Sequence, residues 1–241
     1  MCYFVEHNIQ RKELEKRFNV EFPEDPRYTP SFFQSAFNKP YMPLITGEKR
    51  DKVQLFQWGL IPFWTKDEAS AEKSSYLTFN ARAESVWEKP AYRKPVQFNR
   101  CLVSAHGFFE YHTTPDLKIP YYISLKDDEI FAFAGIFDNW LNAQTGEIIN
   151  SFSILTTAAN PMMEKIHNLK KRMPVILPRD QEDEWLNPQA SKETINSLFK
   201  PFPEELLVAH SVSRKISGKN LEITDPSLIE KVDYGITLNL Y

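Results

Sequence analysis

The run CLVSAHGFFEY at residues 101–111 is dense in β-branched and aromatic residues. Such residues favour extended strands. Two acidic residues that are typical of a tight turn, Asp127 and Asp128, follow further along the chain. Segments of similar composition lie before and after that turn, at residues 121–125, 130–137 and 152–157. Strands joined by short turns indicate antiparallel pairing, so this part of the chain predicts an antiparallel sheet.

The flanking sequence adds further strands and several short helices. Strands are also predicted at residues 52–61, 173–177 and 208–212. Helices are predicted at residues 10–18, 181–186 and 192–199, and at a start formed by Asn160 and Pro161. The intervening residues 22–43 are rich in proline and aromatic residues and predict an irregular segment that crosses the surface.

The predicted strands outnumber the helices, which indicates an α+β fold. We expect a single domain over residues 1–241, with a mainly antiparallel, barrel-like β core flanked by short helices. The composition is 42% hydrophobic and 14% aromatic, which is enough for a substantial core in a chain of 241 residues. No repeat, low-complexity segment or long linker divides the chain.

Composition also narrows the class of protein. Two cysteines are too few for a disulfide framework, and Cys101 lies in an apolar strand where a core thiol is expected. The five histidines are scattered and no Cys/His set has metal-ligand spacing, so neither a metal nor another cofactor is expected. Without a signal segment or a membrane-length apolar run, the sequence indicates a cytoplasmic protein. Because the net charge is −3, DNA-binding residues would have to be gathered locally.

Cys2 directly follows Met1. Its side chain is small, so removal of Met1 is expected and would leave an α-amine and a thiol on adjacent carbons. Such an aminothiol attacks an aldehyde first through nitrogen and then through sulfur, which closes a thiazolidine ring. Both groups are usable near neutral pH, since an α-amine titrates near ~8 and a free thiol near ~8.5. The alternative is a small residue tolerated on a frayed terminus.

Several further segments stand in a characteristic order behind Cys2. They are WGLIPFW at residues 58–64, NARAE at 80–84, RCLV at 100–103, GFFEY at 107–111, TTAAN at 156–160, IHN at 166–168, RMPVIL at 172–177 and HSVS at 210–213. Together with Cys2, this ordered set resembles the SOS-response-associated peptidase (SRAP) family. The resemblance runs over residues 2–215 and leaves residues 216–241 as a C-terminal extension that is expected to pack on the domain.

The resemblance implies a function in the response to DNA damage. Members of the family sense abasic sites in single-stranded DNA and become linked to them through a thiazolidine on an N-terminal cysteine. The link shields the lesion from strand cleavage and error-prone copying, and the word peptidase reflects the removal of Met1. For this chain the resemblance implies SRAP-type activity on single-stranded DNA, in the cytoplasm and associated with the nucleoid of a bacterial cell. It implies no membrane or metal partner and indicates no protein partner.

Besides Cys2, three residues match catalytic positions of the family. Glu110 lies in an apolar run, where burial would raise its pKa toward a value suited to opening the abasic sugar ring; it could also be a solvent-facing strand residue. His167 is suited to proton transfer, at the departing sugar oxygen or at the carbinolamine hydroxyl, although a structural role at a helix end is the alternative. Asn80 is expected to hold the Cys2 amine.

Further residues are predicted to bind DNA. Arg82 lies two residues from Asn80, on the same face of an extended segment, and is expected to grip a phosphate unless it pairs with Glu84 in a buried network. The aromatic pair Phe63 and Trp64 is expected to stack on bases, beside a loop that contains Pro40. Two basic clusters would track the backbone, or else form ordinary solvated surface: Lys89, Arg93, Lys94 and Arg100, and Lys165, Lys170, Lys171 and Arg172.

The chain departs from the family in two places. It begins Cys2-Tyr3-Phe4 where the family usually has Cys-Gly-Arg, so one expected phosphate contact is missing. Residues 169–171 lengthen the stretch between His167 and the RMP motif. This insertion either displaces His167 or supplies two lysines as replacement phosphate contacts, and we favour the second interpretation.

Two other classes of function also fit the sequence. As an N-terminal nucleophile, Cys2 would make the chain a peptidase or amidohydrolase, with the α-amine as base. Such an enzyme needs an oxyanion hole, and the sequence shows no obvious donor loop. In a non-covalent binder of single-stranded DNA, Cys2 would be idle. The Cys2→Ser variant separates these classes, because a binder keeps its DNA whereas a thiazolidine former loses its stable adduct.

Overall fold

The computed structural model describes residues 2–218, 220–235, 238 and 240. The α-helices are short: α1 (Arg11–Phe18), α2 (Glu68–Leu77), α3 (Arg93–Phe98), α4 (Pro161–Ile166), α5 (Glu182–Leu186) and α6 (Lys192–Ser197). The strands are β1 (Phe4–His7), β2 (Ser31–Ser35), β3 (Tyr41–Thr46), β4 (Lys49–Trp58), β5 (Asn80–Arg82), β6 (Arg100–Ala105), β7 (Gly107–Thr113), β8 (Lys118–Leu125), β9 (Phe131–Leu141), β10 (Ile148–Ala158), β11 (Arg172–Pro174), β12 (Ile176–Leu177) and β13 (Leu207–Ser211). Within the described ranges, no helix is both long and apolar enough to cross a membrane.

Five strands close into a barrel. β4 pairs with β3, β3 with β6, and β6 with β9, all antiparallel. β9 pairs antiparallel with β10, which returns to β4 through a short parallel pairing at Ser151↔Gln57. β5, β11 and β12 extend this sheet. The prediction of a single α+β domain with a mainly antiparallel, barrel-like core is therefore confirmed.

The two faces of the barrel strands bury different partners, as the alternation of side chains along a strand requires. One face packs on a second sheet, where Phe108 of β7 lies 5.8 Å from Phe133 of β9 between ring centroids. The other face packs on the helices, since Leu55 and Leu102 share a buried cluster with residues of α1, α5 and α6. The second sheet is thus attached to the barrel through apolar side chains.

The second sheet has five strands in the order β13-β8-β7-β1-β2. β1 pairs antiparallel with β7, with Phe4 opposite Phe109, and with β2, with Phe4 opposite Ser35. Because β1 and β7 run in opposite directions, residues that precede Phe4 lie beside residues that follow Phe109. The sheet therefore brings Cys2 next to Glu110.

The prediction of one strand over residues 101–111 is wrong in one respect, because the chain turns at His106. β6 belongs to the barrel and β7 to the second sheet. The corner is held by an ion pair in which His106 Nδ1 lies 3.0 Å from Oε2 of buried Glu6. The hydrogen bond to Glu6 raises the pKa of His106 to about 9, so the imidazole is a cation at neutral pH.

Gly107 follows the corner, and we expect Gly107→Ala to destabilise the protein by ~1–3 kcal/mol. A Cβ atom at this position would lie 2.2 Å from the Tyr122 ring. That ring is itself confined, since it is buried and packs 5.3 Å from Phe109. Urea unfolding measures the loss as a lower midpoint. Adding Tyr122→Leu should recover part of it, and an unchanged midpoint for Gly107→Ala would contradict the packing argument.

Residues 22–43 are not wholly irregular, which corrects the prediction for this segment. They contain β2, which pairs with the unpredicted strand β1, and the start of β3, which pairs with β4 and with β6. α2 was also not predicted; it begins after Asp67, whose side chain accepts a hydrogen bond from the Ser70 backbone N–H. Neither segment has a clear period of apolar residues in its sequence, so its strands or helix were not predicted.

The described part of residues 216–241 lies against the second sheet. Leu228 is buried in a cluster with Phe109 and Val212. A backbone bridge joins Val212 to Lys231, and the Lys231 neighbour Val232 donates its N–H to the Ser211 carbonyl at 2.8 Å. Earlier residues of the same segment, among them Ile216, Ser217 and Leu221, line one side of a groove of about 860 Å³ whose other side includes Tyr111 of β7.

Candidate active site

Cys2 is fully buried, two residues before β1 begins. Its carbonyl oxygen accepts a hydrogen bond from Asn80 Nδ2 at 2.9 Å. Asn80 begins β5, which is fixed by parallel pairing with β10 at Ile154. The other polar atom of this amide, Oδ1, is buried and makes no hydrogen bond. Asn80 therefore positions the backbone of Cys2 and keeps an acceptor available beside it.

Glu110 is the acidic group of the site. It lies in β7 opposite Tyr121 of β8, and its residue is 5% exposed. Burial raises the pKa of Glu110 to about 7. Burial, and secondarily the negative charge of Glu110, raise the pKa of the Cys2 thiol. The carboxyl group is therefore close enough to act on Cys2 and is poised to exchange a proton near neutral pH.

His167 immediately follows α4, whose start is capped by Asn160 through a hydrogen bond from the Met163 N–H at 2.8 Å. Its Nδ1 lies 2.9 Å from the Arg172 carbonyl oxygen and 3.7 Å from Glu110 Oε1. A carbonyl oxygen only accepts, so Nδ1 carries the hydrogen. Burial lowers the pKa of His167 to about 4, so the ring is neutral at pH 7 and Nε2 holds a lone pair.

The four residues predicted to be catalytic thus lie together in the structure. The amide of Asn80 holds Cys2, the Glu110 carboxyl influences the Cys2 thiol, and His167 faces Glu110. Near neutral pH the Glu110 carboxyl, whose pKa is about 7, can donate or accept a proton, whereas the neutral imidazole of His167 can accept a hydrogen bond. A buried nucleophile beside such groups is suited to addition to a carbonyl followed by loss of water.

Most residues predicted to bind DNA are on the surface. Phe63 and Trp64 are 49% and 53% exposed, and Lys94 Nζ lies 4.2 Å from the centroid of the Phe63 ring. Pro40 is half-buried and accepts a hydrogen bond from the Trp58 N–H at 2.9 Å. The exposed cations among the predicted residues are Arg82, Lys89, Arg93, Lys94, Lys165, Lys170 and Lys171.

Two arginines of the predicted basic clusters have internal partners instead. Arg100 is 2% exposed and donates hydrogen bonds to backbone carbonyls of α3 and of the end of α5, so its assignment to the DNA surface is wrong. Arg172 forms a two-pronged ion pair with Glu84 and also donates to the Thr156 carbonyl at 2.6 Å. Glu84 therefore bonds Arg172 and not Arg82, whose pairing with Glu84 was the alternative to a phosphate contact.

The insertion at residues 169–171 leaves His167 against Glu110. It forms a turn in which the His167 carbonyl accepts hydrogen bonds from the N–H groups of Lys170 and Lys171, at 3.2 and 2.8 Å. Leu169 at its tip is 69% exposed. Lys171 has a left-handed backbone (φ 50°), and its Nζ lies 3.4 Å from Glu164. The extra residues thus form a turn on the surface, and Lys170 remains exposed.

Lys118 is a cation near the site that the sequence analysis did not select. It is opposite Thr113 in the β7–β8 hairpin, and its Nζ lies 4.7 Å from the Tyr111 ring centroid. Its positive charge favours the ionised form of Glu110 and the neutral form of His167, as a minor influence on both. The predicted strand at residues 121–125 began too late to include it. Among the described residues, no cluster of His, Cys, Asp and Glu is placed to hold a metal ion.

The structure therefore combines a closed β-barrel and a second sheet with a buried cluster of Cys2, Asn80, Glu110 and His167. The chain belongs to the SOS response associated peptidase (SRAP) family, whose sequence model matches residues 1–219. The abasic site processing protein YoqW of Bacillus subtilis (strain 168) is 37% identical over 222 residues, which cover 90% of this chain and 94% of that protein. The abasic site processing protein HMCES of Xenopus tropicalis is 28% identical over 218 residues, which cover 80% of this chain and 64% of that protein.

Solved structures show the same fold. A crystal structure of a protein from Bacteroides thetaiotaomicron matches with a TM-score of 0.91 at 37% sequence identity, covering 96% of this chain and 100% of that chain. A second, from Bordetella bronchiseptica, matches with a TM-score of 0.75 at 25% identity, covering 88% of this chain and 100% of that chain.

Proposed function

We propose that this protein processes abasic sites by forming a covalent crosslink to single-stranded DNA through Cys2, after Met1 has been removed. The family membership and the names of the relatives support an abasic site in DNA as the target. A crosslink of this kind would shield the lesion during the response to DNA damage. The observation that carries the proposal is the burial of Cys2 where Asn80 holds its carbonyl and the charge of Glu110, itself against His167, acts on its thiol.

The proposed reaction is neutral in electrons and releases only water. The closed abasic sugar opens when a proton passes from its C1′ hydroxyl to the ring oxygen. The α-amine nitrogen of Cys2 then bonds to the aldehyde carbon, and loss of one water from the carbinolamine gives an imine. The thiol sulfur bonds to the imine carbon while its proton passes to the nitrogen, which completes a thiazolidine.

Glu110 and His167 have different tasks in this reaction. With a pKa of about 7, Glu110 can donate a proton to the sugar ring oxygen and accept one from the hydroxyl. His167 is neutral at pH 7 with its hydrogen on Nδ1, so it accepts a hydrogen bond through Nε2. We therefore assign proton donation to Glu110, and we assign to His167 the orientation of the carbinolamine hydroxyl or amine, in place of the donor role that the sequence suggested.

Denaturing electrophoresis tests the proposed function. Purified protein is incubated with an oligonucleotide that carries one abasic site, in single-stranded and in duplex form. We expect a heat-stable shifted band with the single strand, whose mass equals the sum of the protein without Met1 and the oligonucleotide, minus one water. If no adduct forms, or if its mass retains that water, the thiazolidine mechanism is wrong.

We expect Arg82→Gln to weaken non-covalent capture and to reduce its dependence on salt. Arg82 is exposed at the end of β5, next to Asn80 on the same strand, where a phosphate beside the lesion would lie. Each lost contact to a single strand should lower the slope of log affinity against log salt by ~0.7. Fluorescence anisotropy with an unreactive tetrahydrofuran abasic analogue measures this slope. Arg50→Gln is the matched control, and an unchanged slope for Arg82→Gln would remove Arg82 from the DNA surface.

A further inference from the structure

An aromatic cluster adjoins Cys2 and has no task in the proposed reaction. Tyr3, Phe37 and Tyr76 each pack edge-on against Phe79, with centroid distances of 6.2, 5.4 and 5.8 Å. Tyr3 also lies 5.2 Å from Phe37. We call these four residues the aromatic platform. Its rings come from three separate segments of the chain, since Tyr76 and Phe79 are only three residues apart.

The platform combines a buried base with exposed rings. Phe79 is 2% exposed, whereas Phe37 and Tyr76 are 48% and 47% exposed. Edge-to-face contacts with a buried ring hold the outer rings in fixed orientations. Two exposed aromatic side chains on a rigid support are suited to stacking against a flat ligand, because little freedom is lost when the ligand binds.

The platform is continuous with the reactive site at two points of the chain. Tyr3 follows Cys2, and Phe79 precedes Asn80, which donates its amide hydrogen to the Cys2 carbonyl at 2.9 Å. A nucleotide whose sugar is bonded to Cys2 therefore has its neighbour in the strand near these rings.

Positive charge accompanies the rings. Lys39 Nζ lies 4.2 Å from the centroid of the Tyr76 ring and 3.6 Å from Glu72 Oε1, in an ion pair whose acidic partner is 65% exposed. Such a solvated pair is weak, so Lys39 can turn toward a phosphate. Arg82 is exposed, and its charge acts on the Tyr3 hydroxyl. Stacking rings flanked by cations are the combination that binds single-stranded DNA without regard to base sequence.

We propose that Tyr3, Phe37 and Tyr76 form the stacking surface for the base adjacent to the abasic sugar. This inference rests on the proposed function at Cys2 and names further residues that position the DNA for it. The occupant is a nucleobase of the same strand as the lesion, held by its flat face, so purines and pyrimidines are both accepted.

The test compares two oligonucleotides and two proteins. One oligonucleotide carries a single abasic site between normal nucleotides; in the other, both neighbouring nucleotides are unreactive tetrahydrofuran residues without bases. Below saturation, the wild-type protein should react about tenfold or more slowly with the second, because the stacked base is absent. The combined variant Phe37→Ala, Tyr76→Ala should react slowly with both, with little difference between them. If the variant depends on the neighbouring bases as strongly as the wild type, the platform does not stack them.

Two controls separate this inference from other failures. Leu206→Ala removes a side chain that is 50% exposed elsewhere on the surface and should react like the wild type. Reaction of the double variant with glycolaldehyde, which needs only the aminothiol, should match the wild type and so show that its site is intact. If the wild type crosslinks no abasic oligonucleotide, the proposed function fails. Binding of undamaged single-stranded DNA then decides: weaker binding by the double variant supports the platform, and equal binding overturns it.

Discussion

Replacing Cys2 by alanine is expected to eliminate the heat-stable DNA adduct. The α-amine remains in this variant, so nitrogen can still add to the open sugar and form an imine. Without sulfur the ring cannot close, and an imine is returned to amine and aldehyde by water during denaturation. The adduct should therefore disappear from a denaturing gel, yet reappear when borohydride is added to reduce the imine before heating. This pair of gels assigns the two bonds to the two groups of Cys2 separately.

The other cysteine provides the matched control for that experiment. Cys101 is equally buried but belongs to β6, and its strand partner is Gly135 of β9. Cys101→Ala should retain the adduct in full, apart from a modest loss of stability. The Cys2→Ser variant addresses the hydrolase alternative, because an oxygen nucleophile can still support amide chemistry but forms no stable thiazolidine. A heat-stable band from Cys2→Ala without borohydride would show that sulfur is not part of the link.

The second large effect is expected from Glu110→Gln, which should slow adduct formation by ~10²–10⁴-fold. Glutamine has nearly the same shape as glutamic acid but cannot donate an acidic proton to the sugar ring oxygen. Glu110 is the group of this site whose pKa is about 7, so no neighbour replaces it near neutral pH. Single-turnover rates with the abasic oligonucleotide measure the effect. Binding of the tetrahydrofuran analogue should change little, which separates a loss of chemistry from a loss of affinity.

The pH dependence of the same pair of proteins tests the protonation state. Burial raises the pKa of Glu110 to about 7, so the carboxyl is protonated below that pH. If the protonated form is active, the ratio of wild-type to Glu110→Gln rates is high and constant below pH 7 and falls above it. Because the charge of Glu110 also raises the pKa of the Cys2 thiol, the thiol is titrated separately in both proteins and each rate is corrected for its thiol titration before the ratio is taken. A ratio that rises with pH would make the carboxylate the active form and would overturn the assignment of proton donation.

Glu164→Gln is the matched control for Glu110→Gln. Glu164 lies in α4, one turn before His167, and its side chain is 49% exposed beside Lys171. Its replacement removes a carboxylate of the same charge without touching the buried site. An equal loss of rate in both variants would indicate that general electrostatics, rather than proton transfer by Glu110, controls the reaction.

The strands rich in β-branched and aromatic residues could be predicted from the sequence, because their composition matches a buried sheet whatever their partners. β1 and β2 could not, since each is short and takes its extended form from a partner distant in sequence, as when Phe4 pairs with Phe109. The corner at His106 was missed for a related reason. The residues on both sides of it favour strands, and only the buried Glu6 reveals where the chain changes sheet.

The catalytic candidates could be predicted from residue type and motif, whereas the burial and the pairing of charged side chains could not. Cys2 and Glu110 were selected by their match to the family motifs as well as by their chemistry, and the structure brings them together. The sequence does not distinguish an arginine that faces solvent from one that is buried. The burial of Arg100 against backbone carbonyls and the pairing of Arg172 with Glu84 therefore depend on tertiary contacts. The aromatic platform could not be predicted for the same reason, because the chain has 18 phenylalanines and 10 tyrosines and their exposure depends on tertiary contacts.

The pairing of β1 with β7 also has a consequence for biosynthesis. The start of the chain leaves the ribosome first, but the strand that receives it is made much later, so the nascent N-terminus stays open to processing enzymes. Once β1 inserts between β2 and β7, Cys2 is enclosed. We therefore expect a methionine aminopeptidase to trim the unfolded or ribosome-bound chain faster than the folded one. Equal trimming rates for both would show that the closed sheet offers no protection.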